Sequence, residues 1–541
     1  MKRAALTIAL AVASVMPLSA QTDLTREFHK PVIPSSVPDS LQRFDVTFDY
    51  SIFNRPYSDL YEFNPYESIS LETVGPNRAP IFYAKLGAQY PFMPSGELYL
   101  QSRPKNGFCF GMHAMHDSFV GKVPDVLLED EKIGVGNTSN SVGAGLTYDW
   151  ATGEFMLDAS YDYNWHSYEL GESRTSHGTK AFTLSANINS AYQEDNSLYY
   201  DITCLYKNGS FSHECDSSSL LKESYLHVDG YVGASFEIHR IYVDMNIEFA
   251  SYSGLKEYSS GIVEFSPIYE YDRKSFNAKL GAKFGSSFGF TSDGVVNEDV
   301  TGAQTSIFPD VDARLTLIPK SLWIHAIVTG GNDLNPFSNI VAGCPVLGPG
   351  SLFKAGKRLI DSKLSIESVI SGRFGLNAVG GYVINDDKLI CAPVLDDPGI
   401  KGIKTAYKDV DNIFFGAEIF WKSSDVTMGG QFRYNRFTDR TTKEVATEFP
   451  AFSGSAFFRY SFKERIIASL DVNYSGETSG SSYGEYEVPA IVDANVNVDF
   501  LLNRHMSFFL KCGNLFNQRN QYMPLYVEPG RNFGGGVCFN F

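Results

Sequence analysis

The sequence predicts an all-β fold, a single transmembrane antiparallel β-barrel of about 22 strands with short periplasmic turns and longer outer loops. Three observations predict it. The chain ends on a strand in which Phe541, Phe539, Val537, Gly535 and Phe533 share one face while Asn540, Cys538, Gly536, Gly534 and Asn532 share the other. The same period-2 alternation recurs from about residue 80 onward, and the connections between these segments alternate between short and long.

Taken in order, the N-terminus comes first. Lys2 and Arg3 precede an apolar run from Ala4 to Leu18, and the small-residue end Leu-Ser-Ala-Gln places signal-peptide cleavage after Ala20. Residues 21–79 follow, with Pro31-Val32-Ile33-Pro34, Pro38-Asp39-Ser40, Arg55-Pro56-Tyr57 and Pro65-Tyr66. This Pro- and aromatic-rich segment shows no helical period and reads as extended, ordered chain. Two roles stay open for it: a reduced plug in the lumen, or a periplasmic arm that binds a protein partner.

Composition narrows the class. Charged residues are 20% of the 541, aromatics 14%, and no later stretch reaches the roughly eighteen apolar residues that a spanning helix needs. The 31 Tyr and 41 Phe suit interfacial girdles and an apolar band against outer-membrane lipid. A net charge of −17, with the basic residues dispersed, argues against nucleic acid as a partner. The seven cysteines leave at least one unpaired; Cys204 with Cys215, and Cys344 with Cys391, are the candidate bridges, and buried free thiols are the alternative.

Residues 80–541 form the barrel. In 491–502, Val492, Ala494, Val496, Val498 and Phe500 alternate with Asp493, Asn495, Asn497 and Asp499, and residues 154–166 repeat the pattern. Short connections fall near 104–106, 151–153, 193–196, 237–239, 271–273, 318–320, 371–373, 422–425, 463–465 and 503–505, all on the side that carries the C-terminus. The two longest outer loops are expected near 331–358 and 387–407. The polar face assigns to the lumen Asp158, Asp162, Asp244, Glu248, Lys279, Lys283, Asp312, Arg314, Arg433, Asp471, Asp493 and Asp499, with Lys85 beside them. Interleaved signs suit a ladder of ion pairs and hydrogen bonds; the functional alternative is a weakly cation-favouring pathway.

Catalytic signals are not found. His113 and His116 in Gly111-Met112-His113-Ala114-Met115-His116-Asp117 fall three apart and point to opposite faces of a strand, so they make a poor chelating pair. No His-Glu-x-x-His, Gly-x-Ser-x-Gly, phosphate-binding loop or Cys-x-x-Cys occurs, and neither an enzyme nor a cofactor is expected.

Phe533, Val537, Phe539 and the terminal Phe541 resemble the C-terminal signal by which barrels of Gram-negative outer membranes reach their assembly machinery. Asn514-Leu515-Phe516-Asn517, then Pro529-Gly530-Arg531-Asn532-Phe533 and the closing strand resemble the TonB-dependent receptor family, in which an Asn-Leu-Phe segment ends the penultimate strand and Pro-Gly-Arg opens the last. The resemblance implies an outer-membrane barrel that takes part in transport. It also implies a globular plug, for which the roughly 60 residues before Ile81 are too few. Two functions are therefore expected: passage of a solute across the outer membrane, or a non-transporting barrel subunit of a larger secretion, assembly or surface-binding complex.

Overall fold

A computed structural model describes residues 81–541, apart from 126–131, 171–172, 191–197, 214–219, 255–256, 292–303, 345–346, 348–350, 352, 371, 395–401, 464, 485 and 523. The signal peptide, the 21–79 segment and Cys215 lie outside the described residues. The strands in chain order are β1 (Phe82–Tyr90), β2 (Met93–Gln101), β3 (Phe108–Pro124), β4 (Lys132–Trp150), β5 (Gly153–Leu170), β6 (Ser173–Ser190), β7 (Leu198–His213) and β8 (Leu220–Phe236). They continue with β9 (His239–Gly254), β10 (Tyr258–Arg273), β11 (Phe276–Thr291), β12 (Gln304–Ile318), β13 (Leu322–Asp333), β14 (Gly356–Ile370), β15 (Phe374–Val394) and β16 (Gly402–Lys422). The last six are β17 (Val426–Asp439), β18 (Phe452–Phe462), β19 (Ile466–Ser475), β20 (Ile491–Asn503), β21 (Met506–Gly513) and β22 (Asn532–Asn540); one short helix, α1 (Phe337–Gly343), interrupts a loop.

All 22 strands belong to one antiparallel sheet in which neighbours in the chain are neighbours in space. It closes because β1 pairs with β22, from Tyr83 opposite Asn540 to Tyr90 opposite Phe533. Closure leaves no unpaired edge, the condition for a sheet to cross a bilayer. The seam depends on small residues: a Cβ on Gly536 would collide with the Leu86 carbonyl oxygen, and one on Gly87 would stand 2.7 Å from the Phe509 ring, which lies buried over the join. Lys85 and Lys511 flank that ring on either side, at 5.4 and 5.5 Å from its centroid.

Alternation determines which face is which. Outward residues such as Leu86, Phe110, Tyr161, Phe182, Val243, Leu280, Ile413, Phe458 and Phe500 are exposed and apolar, forming the belt that faces acyl chains. Phe541 continues the outward row of Phe533, packs parallel to His505 at 5.2 Å, and ties in the start of the first strand by accepting the Ile81 N–H on its carbonyl at 2.6 Å. The Gly534–Gly536 run thus serves close strand approach rather than phosphate binding.

The ends of the barrel differ. Turns on the C-terminal side are short, as at 151–152 and 504–505, whereas 334–355, 440–451, 476–490 and 514–531 are long loops at the other side. The loop expected near 387–407 is corrected: β15 and β16 are the longest strands, at 21 residues each, and only 395–401 separate them. The polar Asp386 and Asp387 are absorbed by a strand irregularity between Asn385 and Lys388, which lets the ladder resume beyond it. Of the two alternatives for Cys344 and Cys391, the thiols hold: both are buried in one apolar cluster and not joined by a disulfide, and Cys204 on β7 is likewise a thiol.

Candidate functional site: the lumen and its outer mouth

The lumen wall is built from the inward residues of each strand. On β5, Asp158 and Asp162 take the face opposite exposed Tyr161, and on β9, Asp244 and Glu248 take the face opposite Val243 and Phe249. Tyr225 donates its hydroxyl to Glu248 at 2.7 Å. Lys279 and Lys283 lie opposite exposed Leu280 on β11, and Lys283 reaches buried Glu264 at 3.8 Å. Asp312 meets His325 at 2.7 Å, and Arg314 reaches Glu367 at 3.6 Å while its guanidinium lies over Trp323. Arg433 covers the Phe414 ring at 4.1 Å and donates to Asn435. Asp493 and Asp499 accept from Asn495 and Asn497, and Asp471 stands opposite Asn495 in the β19–β20 ladder.

Several of these residues therefore come together in local groups, whereas Asp158 and Asp162 stand far along the wall from Asp493 and Asp499. His113 is buried on the lumen side; His116, on the opposite face of β3, bonds Asn140 at 2.8 Å and Ser118 at 3.2 Å. No group of three or more His, Cys, Asp or Glu among the described residues could hold a metal ion.

What sequence reasoning missed is the mouth. The loop 334–355 folds onto the inward faces of β7–β10, where Leu334, Phe337, Ile340, Cys344, Leu347 and Phe353 pack with Phe211, Leu221, Tyr225, Tyr252, Tyr258 and Ile262. Polar anchors fix it. Glu223 accepts the Ser338 N–H at 3.2 Å, and the hydroxyls of Tyr252, Tyr258 and Tyr407 accept the N–H groups of Phe337, Phe353 and Lys354 at 3.4, 3.2 and 2.8 Å. At its base, Glu264 accepts both the backbone and the side-chain N–H of Asn332, at 2.6 and 2.8 Å.

The tip of the β15–β16 hairpin projects into this assembly as a partition. One face, with Cys391 and Ile403, joins the cluster around α1; the other, with Ile390, Ala392 and Val410, packs against Phe437 near the end of β17 and against Ala446, Phe449, Tyr483, Tyr486 and Val488 of the 440–451 and 476–490 loops. Lys408 ties those loops down through Glu448 at 2.9 Å and Asp439 at 3.3 Å. Glu448 also accepts from Ser481 Oγ and the Ser482 N–H. Burial raises the pKa of this carboxyl, but the bond from Lys408 and the backbone N–H outweigh it and leave it below the ordinary glutamate value.

The loop 514–531 then crosses the mouth. Three consecutive residues enter three different clusters: Leu525 packs with the 440–490 loops, Tyr526 with the cluster around α1, and Val527 with Met93, Phe119, Val123 and Val135 of β2–β4. Tyr486 donates to Gln521 at 2.6 Å and its hydroxyl accepts the Leu525 N–H at 3.4 Å. The motif residues form the footing of this loop. Asn514 and Asn517 adopt positive φ of 46° and 54°, which Asn tolerates better than most residues. Asn514 bonds Gln518 in both directions and Pro529 O, and Asn517 accepts the Arg531 N–H at 2.8 Å.

A closed 22-strand barrel with an apolar exterior, a polar lumen and a folded outer mouth defines a large outer-membrane β-barrel. Its fold is that of the TonB-dependent receptor barrel. The FrpB iron transporter of Neisseria meningitidis (F3-3 variant) superposes with a TM-score of 0.66 at 11% identity, covering 86% of this chain and 82% of that one. The copper transporter OprC gives 0.66 at 10% identity over 86% and 82%. The ferric yersiniabactin uptake receptor FyuA of Yersinia pestis gives 0.61 at 12% identity over 87% and 81%. At these identities the likeness is one of fold. No protein-family model and no curated protein matches the sequence.

Proposed function

We propose that the protein passes a solute across the outer membrane through its lumen, and that the outer loops gate the entrance. The observation that carries this reading is the crossing at Leu525–Tyr526–Val527, which joins loops from opposite parts of the rim over a polar lumen. A wall sealed for structural reasons alone would be filled by side chains, as small barrels are; here the wall is wide and the closure is made of loops. The similar structures include transporters of iron and copper, which supports transport as the class and leaves the substrate open. Conductance in planar bilayers tests the reading. Replacing Leu525, Tyr526 and Val527 by serine should raise single-channel current several-fold over the parent, and unchanged current would count against a gate.

The lumen residues Asp158, Asp162, Asp244, Glu248, Lys279, Lys283, Asp312, Arg314, Arg433, Asp471, Asp493 and Asp499 would line the pathway. Residues 21–79 would close it from the periplasmic side or bind a periplasmic partner there. Deleting 21–76 in the loop-opened variant separates the two, since a further rise in current belongs only to a plug.

A second reading rests on the same mouth. Three apolar clusters bound to one loop make a rigid outer surface, which suits a barrel that serves as a membrane-embedded subunit. Stoichiometric partners retained in mild detergent, together with silent loop variants, would favour it.

A further inference from the structure

Carboxylates are sorted across the wall of β3–β9. The inward faces carry Asp117, Asp158, Asp162, Glu223, Asp229, Asp244 and Glu248 with Lys207 and Arg240 among them, whereas the outward faces hold no carboxylate among the described side chains. Those outward faces instead carry Lys122, Lys132, Lys180 and Lys222, all exposed, in a chain whose net charge is −17.

Their height is regular. Going from the short-turn end toward the mouth, the first outward charged residue beyond the last exposed apolar side chain is Lys122 after Val120 on β3, Lys180 after Phe182 on β6, and Lys222 after Leu226 on β8. Each ammonium thus begins where the apolar belt ends, on the mouth side, where acyl chains give way to headgroups. Lys180 and Lys222 share one register row through Ser210, two strand spacings apart, or about 10 Å. Tyr163, next in that row, sets its ring 5.9 Å from the Lys180 ammonium. Hydroxyls of Ser210 and Ser253 complete the row with neutral donors.

We propose that this side of the barrel binds the phosphorylated headgroups of an anionic lipid in the outer leaflet, with Lys180 and Lys222 as the central pair and Lys122 and Lys132 at its edge. A cationic row without intervening carboxylates attracts phosphate and does not neutralise itself, and its position directly above the belt admits a headgroup whose chains lie on that belt. Free phosphate has the same charge but gains nothing from the apolar rows beneath.

The test uses the full chain purified into nanodiscs holding phosphatidylcholine with a minor fraction of bis-phosphorylated lipid A. Phosphorylated lipid retained per barrel is then read by mass spectrometry. The parent should enrich lipid A over phosphatidylcholine, and Lys180→Gln with Lys222→Gln should lower the enrichment by about five-fold per lysine. Millimolar inorganic phosphate should displace little of it. Glutamine at these exposed positions leaves the fold intact, which unchanged heat-modifiable gel mobility would verify; should the double variant fail that check, Lys180→Arg with Lys222→Arg must keep the enrichment. Equal retention of both lipids by the parent, undiminished enrichment in the glutamine variant, or full displacement by inorganic phosphate would each overturn the proposal.

Discussion

Lys408 on β16 stands 2.9 Å from Glu448 in the 440–451 loop and 3.3 Å from Asp439 at the end of β17, so one cation holds a strand, a strand end and a loop together. Glu448 is almost fully buried, so its charge depends on that cation. Lys408→Met leaves a buried carboxylate without its partner, a loss of about 3 kcal/mol. Faster hydrogen exchange in 440–451 and 476–490, with the barrel strands unchanged, is the expected result.

The same group makes the mouth acid-sensitive. The folded pKa of Glu448 lies below its unfolded value, so its contribution is fully present above the ordinary value of 4.5 and is lost as pH falls through the lower folded one. Protease protection of these loops should decline over that window, and Glu448→Gln should flatten the dependence. A decline that survives Glu448→Gln would assign it to other groups.

At the seam, Gly536→Ala sets a methyl group against the Leu86 carbonyl oxygen, part of the backbone that has to pair for closure. Gly87→Ala meets the Phe509 ring instead, a side chain that can turn. The first substitution should abolish the heat-modifiable folded band and the second should only weaken it; equal effects would argue against backbone contact as the cause.

Phe541 is exposed on the outward row and stacked on His505. As part of the proposed assembly signal, Phe541→Ala should reduce the rate of membrane assembly more than the stability of the assembled barrel. Pulse-labelled assembly and denaturant melts, measured on the same variant, check this.

The barrel was legible because lipid and water impose a period-2 code on every strand, as in Val492–Phe500. The motif at Asn514–Asn517 was legible as a pattern, but its reason, two left-handed Asn residues footing the crossing loop, required the backbone angles. The mouth was not read. Phe337, Ile340, Leu347 and Phe353 give a loop unusual apolar content, a signal that was present, yet their partners on β7–β10 lie some hundred residues away. Glu223 and Glu264 sit at ordinary inward positions, Tyr407 sits on the face of β16 opposite Val410, and nothing local marks any of them as anchors. The hairpin of β15 and β16 misled because the polar run Asn385-Asp386-Asp387-Lys388 imitates a loop while the ladder continues past it.

The most direct measurement uses the native thiols beneath the crossing. Cys344 and Cys391 are thiols not joined by a disulfide, buried in the cluster that Tyr526 joins. With a membrane-impermeant maleimide and peptide mass spectrometry, both should react slowly in the parent. Tyr526→Ala, which removes a buried aromatic side chain at about 3–5 kcal/mol, should make them react many-fold faster without loss of the folded barrel. Rapid labelling in the parent, or slow labelling in both, would contradict a mouth held shut by this loop.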